Sequence, residues 1–350
     1  MRACVLWASK KMATKQLLLL LVLLLVVSQA SEDGQCAFNP SDSPVPETEG
    51  KSCGCGATNR DNVMEEEKVE PHRLVLPLAL MEKCKLAEAS DLLSLPGGQF
   101  TMGTLDVKNE YDGEGPPRQV LVNPFELEET EVSILQFCRF VVDTGHVTDA
   151  EKFGWSFAFF KTLSNHTLTQ TTQQVEKVPW WVPVNDTNWL FPNGPDLPIQ
   201  DLSLPAVHVS HHDARAYCSW LGRRLPTEAE FEFAMRGGKE NQDYPWGKSL
   251  TPNRKHRANL WQGVFPDVNT KEDGFEYAAP VDAFGPQNDY GVHNIVGNVW
   301  EWVQDAWVTN HEHVLGAFAD PVTGVLDNPQ IELDGKMDAY DVERIFQHCR

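Results

Sequence analysis

Two loop-like stretches gather the hard oxygen donors that a divalent cation needs. "ANLWQGVFPDVNTKEDGF" (258–275) holds Asn259 and Asp273, and "GVHNIVGNVWEW" (291–302) holds Asn294 and Glu301 among glycines. Calcium takes six to eight oxygens from carboxylates, side-chain amides and backbone carbonyls, so both stretches are candidate calcium loops. The competing reading of the second is an Asn-Gly turn beside a solvated glutamate. No nucleophile elbow, phosphate loop, dinucleotide fingerprint, paired-carboxylate signature or H-E-x-x-H zinc pattern stands out in the chain.

Thiols are the second source of chemistry. Beyond residue 30 there are seven cysteines, at 36, 53, 55, 84, 138, 218 and 349. In an oxidising compartment an odd count leaves one thiol unpaired or paired with another chain. Cys53 and Cys55 flank a single glycine in "KSCGCG", too close for an easy mutual disulfide. Such a pair suits disulfide exchange with a partner, or is incidental in a loose segment. Cys138 falls on the apolar face of a predicted helix and reads as a buried free thiol.

The elements that must position these groups are short. "LLSLPGGQFTMG" reads as strand around a Pro-Gly-Gly turn, and "RQVLVNPFELEETEV" as a returning strand. Ser133 and Gln136 form a capping box for a helix that Gly145 ends. Ser210 caps a helix that stops at Gly222, and Thr227 with Glu230 caps another closed by Gly237. His211 and His212 read as surface or capping histidines. Aromatic rings crowd "KFGWSFAFF" and "VPWWVPVNDTNW". Most such rings are core, but Trp180 and Trp181, with Trp300, are candidates to line a peptide groove.

Composition sets the frame. The 350 residues, with 41% hydrophobic content and 11 tryptophans, suit one large domain with loops and short strands. Residues 1–30 carry four basic groups, no acidic ones, an eleven-residue apolar run and a small-residue end. They read as a secretory signal cut after Ala30, because the run is too short to span a bilayer. Asn165-His166-Thr167 and Asn185-Asp186-Thr187 are glycosylation sequons consistent with that route. The formal charge of −21 argues against nucleic acid or anionic membrane as a partner. A basic or neutral peptide or divalent cations fit it, and so does plain solubility. Residues 31–90 read as a mobile extension, 91–307 as the domain and 308–350 as a divergent tail.

The motifs "GGQFTMGT", "DGEGP", "HVSHHDARAYCSWLGRRLPTEAEFEFAMRGG", "YPWG", "NLWQGVFP", "EDGF" and "APVDAFGPQNDYGVHNIVGNVWEW" occur in this order. Together they resemble the sulfatase-modifying factor family, that of the formylglycine-generating enzyme. The resemblance implies a single α/β domain, C-type-lectin-like, with little regular secondary structure and two calcium sites. Asn259 and Asp273 would bind one ion through side chains, with the Leu260 and Phe275 carbonyls. Asn294 and Glu301 would bind the other, with the Gly297 and Val299 carbonyls. It also implies residence in the endoplasmic reticulum lumen, with secretion as an alternative. Retention would run through chaperone contact at Cys53 and Cys55. Pairing would be with the same chain or a family homologue. The partners would be sulfatase polypeptides, in which the family's enzyme oxidises the cysteine of a Cys-x-Pro-x-Arg segment to Cα-formylglycine. That reaction uses molecular oxygen and a copper(I) ion on two cysteines near the C-terminus.

The chain departs from the pattern after "VQDAW". The family's Gly-Gly-Ser strand, Cys-x4-Cys pair and closing "GFRC" are missing from it. The one cysteine beyond Cys218 is Cys349, and one thiolate cannot build a two-thiolate copper site. By the same resemblance, the disulfide partner of Cys218 lies in the missing segment, and Met235 stands where the family has a second helix cysteine. The expectation is a catalytically deficient member whose domain is incomplete at its C-terminus. The alternative is a non-catalytic, calcium-binding protein that binds sulfatases or the active enzyme. In the tail, "ELDGKMDAYDVERIF" resembles half of an EF-hand loop, with Gln330 and Asp341 at the positions that want Asp and Glu.

Overall fold

The structure is a computed structural model, and it describes residues 74–107, 114–176, 178–306, 323 and 325–330. The leader, the Cys53/Cys55 pair, Cys349 and the EF-hand-like stretch lie outside the described residues. Elements follow in the order α1 (Leu78–Lys85), β1 (Leu92–Leu95), β2 (Gly98–Met102), β3 (Arg118–Val122), β4 (Phe125–Glu128), α2 (Ile134–Thr144) and α3 (Asp149–Phe153). Then come β5 (Trp155–Phe159), α4 (Asn165–Gln170), β6 (Trp181–Asn185), α5 (His211–Trp220), α6 (Glu228–Arg236) and β7 (Leu326–Asp327). Between α6 and residue 306 the described chain is turns and loops, apart from one short 3-10 turn. This is the α/β class with little regular structure that the sequence predicts. Among the described residues, no helix is long and apolar enough to cross a membrane.

Three small sheets share the work. β1 pairs antiparallel with β4, β5 pairs antiparallel with β6, and β2, β3 and β7 form the third. The "LPGG" turn does not fold its flanking strands onto each other. Gly97 holds φ +65°, and a Cβ there would sit 2.5 Å from the Val122 carbonyl oxygen, so only glycine lets the chain cross at this point. β1 and β2 therefore join different sheets.

The two larger cores among the described residues flank this arrangement. One packs α6 on β2 and β3: Phe231, Phe233 and Ala234 meet Phe100, Met102, Val120 and Val122. The other joins α1, α2 and α5 through Phe137, Phe140, Trp189, Tyr217 and Leu225, with Phe137 edge-on to Trp189 at 5.5 Å. The predicted caps are in place. Ser133 and Gln136, Ser210 and Asp213, and Thr227 and Glu230 each form a capping box, and Gly145 and Gly237 end their helices in the left-handed region.

Three expectations need correction. Cys138 is not a free thiol; it is bonded to Cys84 across 54 residues. That bond draws residues 74–90 out of the expected extension and into the domain, because α1 packs Cys84, Leu80, Leu76 and Leu74 against α2's core. The tail boundary at 307 also fails for the sheet. Leu326 is buried in the first core, β7 pairs in parallel with β3, and the Asn328 side-chain oxygen accepts from the Asn123 amide at 2.7 Å.

Candidate functional site

The first oxygen-lined loop closes around Asp273. Its Oδ2 accepts from the Leu260 amide at 2.9 Å, and its Oδ1 accepts from the Phe275 amide at 3.0 Å. The Gln262 side-chain nitrogen donates both to Asp273 Oδ2, at 2.8 Å, and to the Leu260 carbonyl. An NH2 group wedged between two anionic or dipolar oxygens marks a point of negative potential. Two of the expected calcium ligands, Asp273 and the Leu260 carbonyl, thus converge on one position. Asn259 is buried, and its nitrogen donates to the Tyr277 carbonyl at 2.7 Å and to Asn298 Oδ1 at 3.0 Å.

The second loop is more deeply set. Asn294 is 1% exposed at φ +45°, and its nitrogen donates to Glu131 Oε2 at 3.1 Å and to the Val281 carbonyl at 3.0 Å. Those bonds turn Asn294 Oδ1 the other way. It is buried and has no hydrogen-bond partner among the described residues. A buried amide oxygen left open costs about 1–3 kcal/mol, so the geometry suits a cation ligand. Glu301 is also buried and brings a carboxylate to the same loop. Gly297 lies between them at φ +98°, and a Cβ there would meet the Asn259 carbonyl at 2.7 Å. This close approach, with the Asn298 amide donating to Asn259 O at 2.9 Å, locks the two loops together. The donor chemistry of both loops, all hard oxygen, fits calcium.

Sequence reasoning missed three supports. Glu131, 2% exposed, receives Asn294 and Asn298 on its two oxygens. Gln287, fully buried, binds the Arg257 and Val296 carbonyls and the Val296 amide. Asn298 joins the loops through its side chain. Glu131 falls in "RQVLVNPFELEETEV", read only as a returning strand, and carries no local signal of this role.

The loops carry an aromatic face. Trp300, next to Glu301, is 43% exposed and lies 6.1 Å from Trp181. Trp261 and Phe265 of the other loop, with Tyr277 just beyond it, pack on Phe159, which itself meets Trp181 at 6.0 Å. Trp181 and Trp300 are thus brought together at a surface. Trp180 is not part of it: it is 8% exposed and edge-on to Phe265 at 5.2 Å, so it serves as underlying core.

The histidine expectation is corrected at His211. This residue is 4% exposed, its Nε2 donates to the Val303 carbonyl at 3.0 Å, and burial pushes its pKa down to about 4. It therefore holds the chain after Trp302 rather than facing water. Cys218 is the free thiol among the described residues; it is buried, and burial raises its pKa. Asn165 and Asn185 are both exposed. Copper(I) does not fit this donor set. Among the described residues, with Cys84 and Cys138 bonded to each other, the one free thiol is buried Cys218, where two thiolates are needed.

An α/β domain with two oxygen-lined loops is what the motifs anticipate, and the structure adds their linkage beneath an aromatic surface. The model of the sulfatase-modifying factor enzyme 1-like domain matches residues 78–345, beginning at α1 and running past β7. The chain is 47% identical over 263 residues to a mouse protein named formylglycine-generating enzyme, covering 74% of this chain and 70% of that one. It is 49% identical over 221 residues to a Thermomonospora curvata protein of the same name, covering 63% and 72%. It is 50% identical over 213 residues to the Bos taurus protein named inactive C-alpha-formylglycine-generating enzyme 2, covering 61% and 69%. The chain belongs to the sulfatase-modifying factor enzyme family.

Proposed function

We propose that this chain binds Cys-x-Pro-x-Arg segments of sulfatase polypeptides on the Trp181–Trp300 face and does not complete their oxidation to formylglycine. The observation that carries the reading is the thiol inventory: beside a formed aromatic face, the described residues offer one free thiol, buried Cys218. Two calcium ions would hold the face in shape. Asn259, Asp273 and the Leu260 and Phe275 carbonyls would take one, and Asn294, Glu301 and the Gly297 and Val299 carbonyls the other. Bound calcium would neutralise the charge of buried Glu301 in one loop and half-buried Asp273 in the other; the protein's own residues do the rest. Trp181 and Trp300 present apolar walls for the proline, and the acidic chain favours the arginine. The leader, the sequons and the Cys53/Cys55 pair support a site of action in the endoplasmic reticulum lumen, with chaperone contact at the thiols. A catalytic homologue bound to the same sulfatase, or paired with this chain, would supply the oxidation.

The relatives named as formylglycine-generating enzymes favour a second reading, a working oxidase. One experiment separates the two. The chain is incubated with copper(I), oxygen and a Cys-x-Pro-x-Arg peptide, with peptide binding followed by fluorescence and the aldehyde by mass spectrometry. The expected result is binding, weakened about tenfold by Trp181→Ala or Trp300→Ala, without aldehyde. Aldehyde above a blank would establish the oxidase and sink the proposal.

A further inference from the structure

The outer side of the β5–β6 pair is apolar nearly to its end. Directly opposed residues of antiparallel strands point to the same side. Ala158, Val182 and Val184 take the inner side and are buried. Trp155, Phe157 and Phe159 therefore share the outer side with Trp181, Pro183 and Asn185. At one end Phe159 opposes Trp181, which meets Trp300 in the groove. At the other end Trp155 opposes Asn185. Here a half-buried indole, edge-on to Phe157 at 5.2 Å, lies beside an exposed asparagine.

That asparagine begins the sequon Asn185-Asp186-Thr187. The chain turns immediately after it: Asp186 adopts φ +58°, and its amide donates to the Gly154 carbonyl at 2.8 Å. The turn leaves Asn185 on a strand corner, open to solvent. An N-acetylglucosamine ring has an apolar C–H face, and a neighbouring indole is the surface such a face packs on.

We propose that Asn185 carries an N-linked glycan whose first N-acetylglucosamine lies against the Trp155 indole. Asn185 Nδ2 forms the bond to the sugar's anomeric carbon as the bond from that carbon to a lipid-linked pyrophosphate breaks. The amide loses one proton and the lipid pyrophosphate departs. The second sequon differs. Asn165 opens the six-residue helix α4 and has no opposing strand residue, while Thr167 is buried and donates to Asp196 Oδ1 at 2.7 Å. A glycan there would extend into solvent. The proposal rests on import into the lumen, which the leader reading supplies.

The test uses the full chain expressed in insect cells. The N-terminal peptide of the purified protein reports leader removal, and glycopeptide mass spectrometry reports each sequon. Expected are a cleaved leader, an occupied Asn185, and a melting temperature that enzymatic deglycosylation lowers by about 2–4 °C. The same drop is expected for Asn185→Gln, and deglycosylation should leave Trp155→Ala unchanged. A cleaved leader with Asn185 bare overturns the proposal while leaving import intact. An uncleaved leader overturns both. An occupied Asn185 whose removal shifts wild type and Trp155→Ala equally overturns the packing on Trp155. If Trp155→Ala does not fold, an undisturbed melting temperature in Asn185→Gln does the same.

Discussion

Glu131 receives the side-chain nitrogens of Asn294 and Asn298 on its two oxygens, at 3.1 and 3.0 Å, and so carries both loops. Glu131→Gln would turn an NH2 group toward one of those nitrogens, donor against donor, inside a buried site. The expected loss is about 1–3 kcal/mol, read by thermal melting in excess calcium. An unchanged melt would mean that Glu131 does not organise the loops. Asn294 and Glu301 were legible in the sequence because their motif is local. Glu131 was not, because its role depends on residues more than 160 positions away. His211 makes a pH prediction. The unfolded chain takes up its proton near pH 6.5, whereas the folded protein does so near 4, so this stability is intact above 6.5 and lost as pH falls toward 4. Glu228 leans the other way, because burial raises its pKa from 4.5 to about 7. The two oppose each other in wild type, so His211→Gln should gain stability relative to wild type as pH falls from 6.5 to 4. A parallel pair of curves would remove His211 from the account.

Among the elements, α2 was the most legible and α1 the least. Ser133, Gln136 and Gly145 punctuate α2 within its own residues. Nothing in "LALMEKCK" says that it docks, since its hydrophobic residues follow no clean face and Leu78 is 71% exposed. What holds it is the bond from Cys84 to Cys138, and cysteine spacing alone does not reveal a pairing. Removing that bond in the double variant Cys84→Ser, Cys138→Ser frees a 54-residue loop in the unfolded state. The expected loss is about 4 kcal/mol, with α1 becoming the first site of limited proteolysis. Cleavage beginning elsewhere would mean that the apolar contacts of Leu74, Leu76 and Leu80 suffice. The strands were legible as strands but not in their pairing, because the turn at Gly97 sends β1 and β2 into separate sheets.

At the scale of the molecule, the family reading came from ordered motifs, while the linkage between the loops came only with the structure. Asn259 and Asn298 touch directly, so the two sites should act as one unit. A chelator is expected to lower the melting temperature by about 5–10 °C, with peptide binding lost over the same calcium range. A melt indifferent to chelator would remove calcium from both loops. The pairing of β7 with β3 has a consequence in time. Val120 finds its neighbour in Leu326, so the growing chain presents an open strand edge until more than two hundred further residues have been made. At ordinary translation speeds that wait is roughly 10–40 s. An unpaired edge is a template for pairing with other chains. The nascent protein therefore has a stretch of its synthesis in which a helper that shields strand edges decides how much of it matures.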